Sequence, residues 1–255
     1  MGKALQINDL PIWLINLKSS PERYASMQVQ LDALDLQHQR VEAVNGKAAW
    51  AELATTVDIP GFQRNVGREV MPGEVGCYHS HLKVWKALAS SGADIGLVLE
   101  DDVVFGPDFC RAVNAALGDT EKWDILKLNH IRAKFPIRLG RVDKWMFCHC
   151  IGPLTGTGAY LIKADVADGL TKCFLPISRP IDHQIDLLHR ENIRHLALMP
   201  FPSRVEDHGQ STITGQQFAG VRKFPPYKRL YTYLQRWKNL ITKGLFAFQL
   251  KRSGR

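Results

Sequence analysis

Residues 95 to 105, IGLVLEDDVVF, run five apolar or small residues into three consecutive acids, Glu100, Asp101 and Asp102, and then return to apolar residues. An unbroken run of this kind reads as a strand buried on both faces, as in a parallel sheet covered by helices. Ligands of open α/β sheets bind beyond the carboxyl ends of the strands, where these acids stand. Alternation along an extended chain puts Glu100 and Asp102 on one face and Asp101 on the other. Crowded carboxylates repel one another unless a cation or hydrogen-bond donors satisfy them. Hard oxygen ligands at this spacing suit Mg²⁺ or Mn²⁺ shared with substrate phosphates. The alternative is that one acid caps a helix starting near residue 107 while the others are solvated.

Working outward, PIWLINL (11 to 17) reads as a buried strand, followed by a helix from Pro21 to about Leu36 with Ser19 or Ser20 as its N-cap. QRVEAVNG (39 to 46) is a second strand ending in a turn-forming Asn-Gly, and residues 47 to 72 read as irregular. From Gly73, Cys77, His81, Trp85 and Leu88 recur at helical spacing up to Gly92. WDILKLN (123 to 129), GTGAYLI (156 to 162) and RHLALMP (194 to 200) read as strands, residues 132 to 150 as a hairpin, and 107 to 117, 163 to 174 and 179 to 192 as helices. Alternating strands and helices with short connections imply an α/β domain with a mainly parallel central sheet.

The basic residues are unevenly spread. Of 33 Lys and Arg in the 255 residues, ten fall within residues 221 to 255, and no acid follows Asp207. The remaining 23 basic residues face 25 acids, so the body, residues 1 to 220, is slightly acidic, and the net formal charge of +8 on the chain comes from the tail, 221 to 255. This balance argues against a nucleic-acid partner for the body. Five cysteines without a CxxC pair and an N-terminus unlike a signal peptide suggest reduced thiols and a cytoplasmic setting. The first strand is followed by KSSPER, so neither a dinucleotide-binding GxGxxG nor a P-loop stands there. GPLTGTG (152 to 158) precedes a strand, which suits a pocket wall built by close backbone approach.

INLKSSPERY, GEVGCYHSHLKVW, LVLEDDVVF, GTGAYLI and PIDHQID occur in an order and spacing that resembles glycosyltransferase family 25, the lipopolysaccharide and lipooligosaccharide galactosyltransferases related to collagen galactosyltransferases. The resemblance runs from about residue 11 to 213. It implies a GT-A-like fold, a nucleotide-sugar donor such as UDP-galactose, a divalent metal, Mn²⁺ or Mg²⁺, and inversion at the anomeric carbon. It makes Asp102 the metal-binding acid, with Glu100 on the ribose or a metal-bound water and Asp101 orienting the donor sugar or serving structure. It places the backbone of Asn16 and Leu17 at the uracil and Arg23 near the phosphates, although Tyr24 stands where the family usually has a basic residue. Ser80 and His81 are implied donor contacts, with a core role for the histidine as the alternative. GT-A enzymes often complete the metal site with a late histidine or acid, and His208 in EDHGQSTI is the candidate.

An inverting transfer needs a base for the acceptor hydroxyl. Asp182 and Asp186 lie four residues apart, with Asp182 preferred because it is nearer the helix start and Asp186 left to acceptor hydroxyls or solvent. A nucleotidyltransferase or metal phosphodiesterase using the same acids is a competing reading, as is a module acting through its basic tail. In that tail, Leu230, Leu234, Trp237, Leu240, Ile241, Leu245 and Phe248 recur at helical spacing among basic residues. The pattern predicts a basic amphipathic helix suited to an anionic membrane surface, the inner face of a bacterial cytoplasmic membrane, where a lipid-linked oligosaccharide acceptor would be found.

Overall fold

The computed structural model describes residues 4–206 and 223–253. In chain order come β1 (Ile12–Asn16), α1 (Pro21–Ala33), β2 (Gln39–Glu42), α2 (Trp50–Leu53), α3 (Ile59–Val66), α4 (Pro72–Ala89), β3 (Ile95–Glu100), β4 (Val103–Phe105) and α5 (Phe109–Leu117). Then follow β5 (Ile125–Lys127), β6 (Arg132–Ala133), β7 (Pro136–Val142), β8 (Trp145–Cys150), β9 (Leu154–Thr155), β10 (Ala159–Lys163), α6 (Ala164–Cys173), α7 (Ile181–Ile185), β11 (His195–Met199), β12 (Ser203–Val205) and α8 (Leu230–Arg252).

Eight strands form one sheet in the order β2-β1-β3-β10-β5-β11-β8-β7. The pairings β1 with β2, β1 with β3 and β5 with β11 are parallel. Strands β10 and β8 run against their neighbours, so six of the eight strands point one way. The buried runs in β1 and β3 alternate between two cores. Ile12, Leu14, Leu97, Leu99 and Leu161 meet α1, α5 and the inner face of α8. Trp13, Ile15, Val98, Tyr160 and Ile162 meet α4, α6 and α7. The result is a helix–sheet–helix sandwich, in which each fully buried large side chain contributes about 1.5–3 kcal/mol.

Four local expectations change. Residues 47 to 72 hold α2 and α3, the latter starting at Asp58, whose side chain accepts from Gly61 N, and closing at Gly67 with φ +76°. The stretch 179 to 192 breaks into the five residues of α7 and a 3₁₀ turn over Leu188–Glu191. Strand β3 stops at Glu100, and Asp101 and Asp102 form the turn into β4, so the expected alternation of faces ends one residue too early to separate them. The tail is more than an appendage, because Phe246 and Leu250 of α8 belong to the main core. No helix among the described residues is long and apolar enough to cross a membrane.

Candidate active site

The two aspartates after β3 meet donors from the first βα unit. Arg23, in the first turn of α1, places a guanidinium nitrogen 2.6 Å from Asp101 Oδ1 and 3.2 Å from Asp102 Oδ2. Asn16, the last residue of β1, donates from Nδ2 to Asp101 Oδ2 at 2.6 Å and to the Ser20 carbonyl at 3.0 Å. Its Oδ1 accepts from Arg40 of β2 at 2.6 Å, and the Arg40 guanidinium lies 4.3 Å above the Tyr24 ring. A cation therefore reaches this corner from β2 although position 24 carries none. Leu17 continues from Asn16, half-buried, and its carbonyl accepts from Ser20 N at 3.0 Å.

Behind the acids runs a buried chain of polar groups. Trp85 Nε1 of α4 donates to the Tyr160 hydroxyl at 2.9 Å, and that hydroxyl lies 2.8 Å from His81 Nδ1. An indole N–H can only donate, so the Tyr160 oxygen accepts from Trp85 and its own proton points to His81 Nδ1. That leaves the His81 proton on Nε2, where it is donated to Glu100 Oε1 at 3.1 Å. Burial pushes the Glu100 carboxyl up, but the hydrogen bonds from His81 and Thr157 and the charge of Lys127 hold it below its ordinary value.

Lys127 ends β5 inside the molecule, 1% exposed, and donates to the Gly156 carbonyl. Burial lowers its pKa to about 8, against the opposing pull of Glu100, Asp182 and Asp186. The amide of Gly156 donates to Asp182 Oδ2 at 3.1 Å, while Asp182 Oδ1 accepts from His183 N at 2.8 Å. Asp186 Oδ1 accepts from Leu154 N at 3.1 Å and from Lys243 Nζ of α8 at 2.6 Å. Burial raises the Asp186 pKa to about 6 in spite of the Lys243 charge. The Gly-rich loop thus links both groups of acids, and Asp186 is tied to the tail helix.

The profile of glycosyltransferase family 25, described as an LPS biosynthesis protein, matches residues 9–185, more than half of the chain. The chain belongs to glycosyltransferase family 25. It is 33% identical over 129 residues to Procollagen galactosyltransferase 1-B of Xenopus laevis, covering 48% of this chain and 21% of that protein. It is 32% identical over 122 residues to a Glycosyltransferase 25 family member of Aedes aegypti, covering 45% and 20%. It is 30% identical over 125 residues to a Rattus norvegicus protein named Probable inactive glycosyltransferase 25 family member 3, covering 46% and 22%. The chain spans about a fifth of the length of these curated relatives.

In this family 25 chain the structure brings Asn16, Arg23, His81, Glu100, Asp101 and Asp102 together at the end of β3. Ser80 is turned elsewhere. Its hydroxyl donates to the Gly76 carbonyl at 2.7 Å and accepts from Val44 N at 2.8 Å, pinning the segment after β2 to α4. His208 lies outside the described residues; the last described residue before it, Glu206, donates its amide to the Asp102 carbonyl at 2.7 Å.

The acids fit the divalent cation that the resemblance implies. Burial first, then the Glu100 charge, raises the Asp102 pKa to about 7. Asp102 Oδ1 is buried without a hydrogen-bond partner among the described residues. An oxygen so placed is costly unless a cation meets it. Cys77, His81 and Glu100 also bring ligand atoms within 4.8 Å of one another. Both His81 nitrogens there are engaged by Tyr160 and Glu100. Burial and then the Glu100 charge push the Cys77 thiol well up, away from the thiolate a metal needs. Arg40, Lys127 and Tyr160 were missed by sequence reasoning; only Lys127, a charge inside the run ILKL, carried a visible signal.

Proposed function

We propose that the chain is an inverting, metal-dependent hexosyltransferase that moves galactose from UDP-galactose to a sugar of a lipopolysaccharide or lipooligosaccharide acceptor. The observation that carries the reading is the buried Asp102 oxygen, without a hydrogen-bond partner among the described residues, in an acid cluster at the end of β3. Membership of family 25 and the galactosyltransferase name of one relative support the sugar-transfer class.

In this reading Asp102 holds Mn²⁺ or Mg²⁺, with Glu100 and Asp101 beside it. The cation, when bound, neutralises negative charge on a departing diphosphate. Asn16 and Leu17 end the strand beside the acids and receive the nucleotide base, and Arg23 contributes positive charge at the same mouth. His81 holds Glu100 in place through its Nε2 proton. Asp182 accepts the proton of the acceptor hydroxyl as that oxygen bonds the anomeric carbon on the face opposite the departing UDP. The amides of Gly156 and His183 each donate to one Asp182 oxygen and fix the orientation of the carboxylate. Asp186, tied to Lys243, positions the segment that carries Asp182.

The test is an assay of the purified chain with a panel of nucleotide sugars and a soluble oligosaccharide acceptor, with and without Mn²⁺. UDP-galactose should support transfer that chelation abolishes, and Asp102→Asn should fold normally and lose at least about 100-fold in turnover. Nucleotide turnover without a glycosylated product would instead identify a phosphodiesterase or nucleotidyltransferase. Full activity of Asp102→Asn with unchanged metal dependence would remove Asp102 from the metal site.

A further inference from the structure

Helix α8 has two apolar sides. Its inner side places Thr232, Lys243, Phe246, Ala247 and Leu250 against the body. Its outer side carries Leu230, Leu234, Trp237, Ile241, Leu245 and Phe248, each between 58% and 68% exposed. These six positions advance in steps of four, three, four, four and three, which keeps them on one stripe about 27 Å long. Contiguous exposed apolar surface on this scale marks an interaction site in a soluble protein.

The charge around the stripe selects the partner. On the helix Lys238 and Lys251 flank it and Arg252 stands within it, and no acid occurs anywhere in α8. A second copy packed stripe to stripe would bring two basic rims together. A nucleic acid would neutralise the rim and leave the stripe in water. An anionic bilayer satisfies both, because aromatic and aliphatic side chains enter the headgroup boundary while Lys and Arg meet lipid phosphates. The helix cannot span a bilayer, so it lies along the surface.

We infer that the outer face of α8 is a docking surface for an anionic lipid bilayer. The buried face of the same helix carries Lys243, whose ammonium holds Asp186 and the Gly152 carbonyl. Docking therefore fixes the orientation of the loop and short helix bearing Asp182 relative to the membrane, the side from which a lipid-linked acceptor would arrive. The docking claim rests on α8 alone and stands or falls separately from sugar transfer.

The test is co-sedimentation of the full chain with vesicles of phosphatidylglycerol and phosphatidylethanolamine, against vesicles of phosphatidylcholine alone. Binding to the anionic vesicles at low salt, its loss at about 0.5 M salt, and a blue shift of Trp237 fluorescence on binding are expected. Trp237→Glu with Ile241→Glu touches only exposed positions and should cut partitioning about 100-fold or more. Lys238→Gln with Arg252→Gln should cut it about tenfold at low salt. All variants should keep the thermal transition of the parent and the same transfer to a soluble acceptor. Equal binding to phosphatidylcholine, undiminished binding of the double glutamate variant, or no vesicle binding by the parent would each overturn the inference. So would a parent dimer that Trp237→Glu with Ile241→Glu converts to monomer, since the stripe would then belong to a second copy.

Discussion

Lys243→Met removes the charge that joins α8 to the site segment while keeping the length of the side chain. In the parent, Lys243 is 3% exposed, and its ammonium lies 2.6 Å from Asp186 Oδ1 and 2.8 Å from the Gly152 carbonyl. After substitution Gly152 O loses this donor, and Asp186 keeps only the Leu154 amide among the contacts described above. Breaking a buried ion pair from one side costs about 3–5 kcal/mol, because the remaining charge is stranded. Asp186→Asn should also destabilise, whereas the double variant strands neither charge, so the two losses should fall short of additivity by about 2 kcal/mol or more. Urea denaturation of the four proteins measures this directly. The sign of the pH dependence follows from Asp186, whose carboxyl rises from 3.8 unfolded to about 6 in the fold. Between those values the native state binds the extra proton, so this carboxyl costs stability as pH rises. Without Lys243 the folded pKa rises further, and each added unit costs about 1.4 kcal/mol at high pH. The Lys243→Met penalty should therefore be largest near pH 8 and shrink by pH 5. A loss below about 1 kcal/mol at pH 8, or strict additivity in the cycle, would refute the claim that this pair anchors the tail.

Three further outcomes are expected. Asp182→Asn should lower kcat by about 10²–10⁴ with the donor KM unchanged, measured by steady-state kinetics; a loss of donor affinity instead would move Asp182 to the nucleotide site. Tyr160→Phe should remove the hydroxyl that fixes the His81 tautomer, cost about 1–3 kcal/mol by leaving Trp85 Nε1 unpaired, and shift the His81 ring nitrogen resonances; an unchanged Nε2–H tautomer in the variant would show that Glu100 alone sets it. His149 and His189 pack against Phe246 of α8, and burial lowers the pKa of each to about 4. The unfolded chain takes up these protons first, near 6.5, so stability should fall as pH drops from 6.5 to 4, by up to about 3 kcal/mol per histidine; a stability gap between parent and His149→Gln that is constant across this window would refute it.

What the sequence made legible was whatever one strand or helix decides by itself. Strands β1 and β3 announce themselves because both faces are covered, which leaves runs such as PIWLI and IGLVL without polar interruption. The acids were visible because charge at the end of such a run is costly to leave there. Arg23 was named through the resemblance, near the donor phosphates, but its contact with Asp101 and Asp102 and the reach of Arg40 from β2 both depend on strand order, and QRVE looks like an ordinary exposed edge. Lys127 shows the same limit: a lysine at a strand end can extend to solvent or turn inward, and the Gly156 carbonyl that holds it is 29 residues away. The spacing of Ile181, Ile185 and Leu188 suited one continuous helix, yet the helix ends at Ile185, and the side chain of Asp186, its C-cap, is held by Leu154 N and Lys243. The stripe on α8 was legible as a pattern, while the division between its inner and outer sides needed the body against which it packs.

The least legible feature, the direction of β10, is the one that assembles the site. The run AYLI has no polarity that would distinguish a parallel from an antiparallel strand. Placed between β3 and β5 and antiparallel to both, β10 delivers its leading residues, not its trailing ones, to the carboxyl ends of its neighbours. Those leading residues are Gly156, Thr157 and Gly158. The Gly158 carbonyl accepts from Glu100 N at 2.7 Å, and a side chain at 158 would collide with Asn129, so glycine is needed for this approach. Gly156 adopts φ +94°, a conformation that favours glycine, and there its amide faces Asp182 while its carbonyl faces Lys127. In the same strand, Tyr160 sets the His81 proton and through it Glu100. A parallel strand in this slot would carry the loop to the opposite edge of the sheet and leave the acids of β3 and the aspartates of α7 with no shared backbone. One reversed strand therefore couples the carboxylates at the end of β3 to the carboxylate proposed to take the acceptor proton.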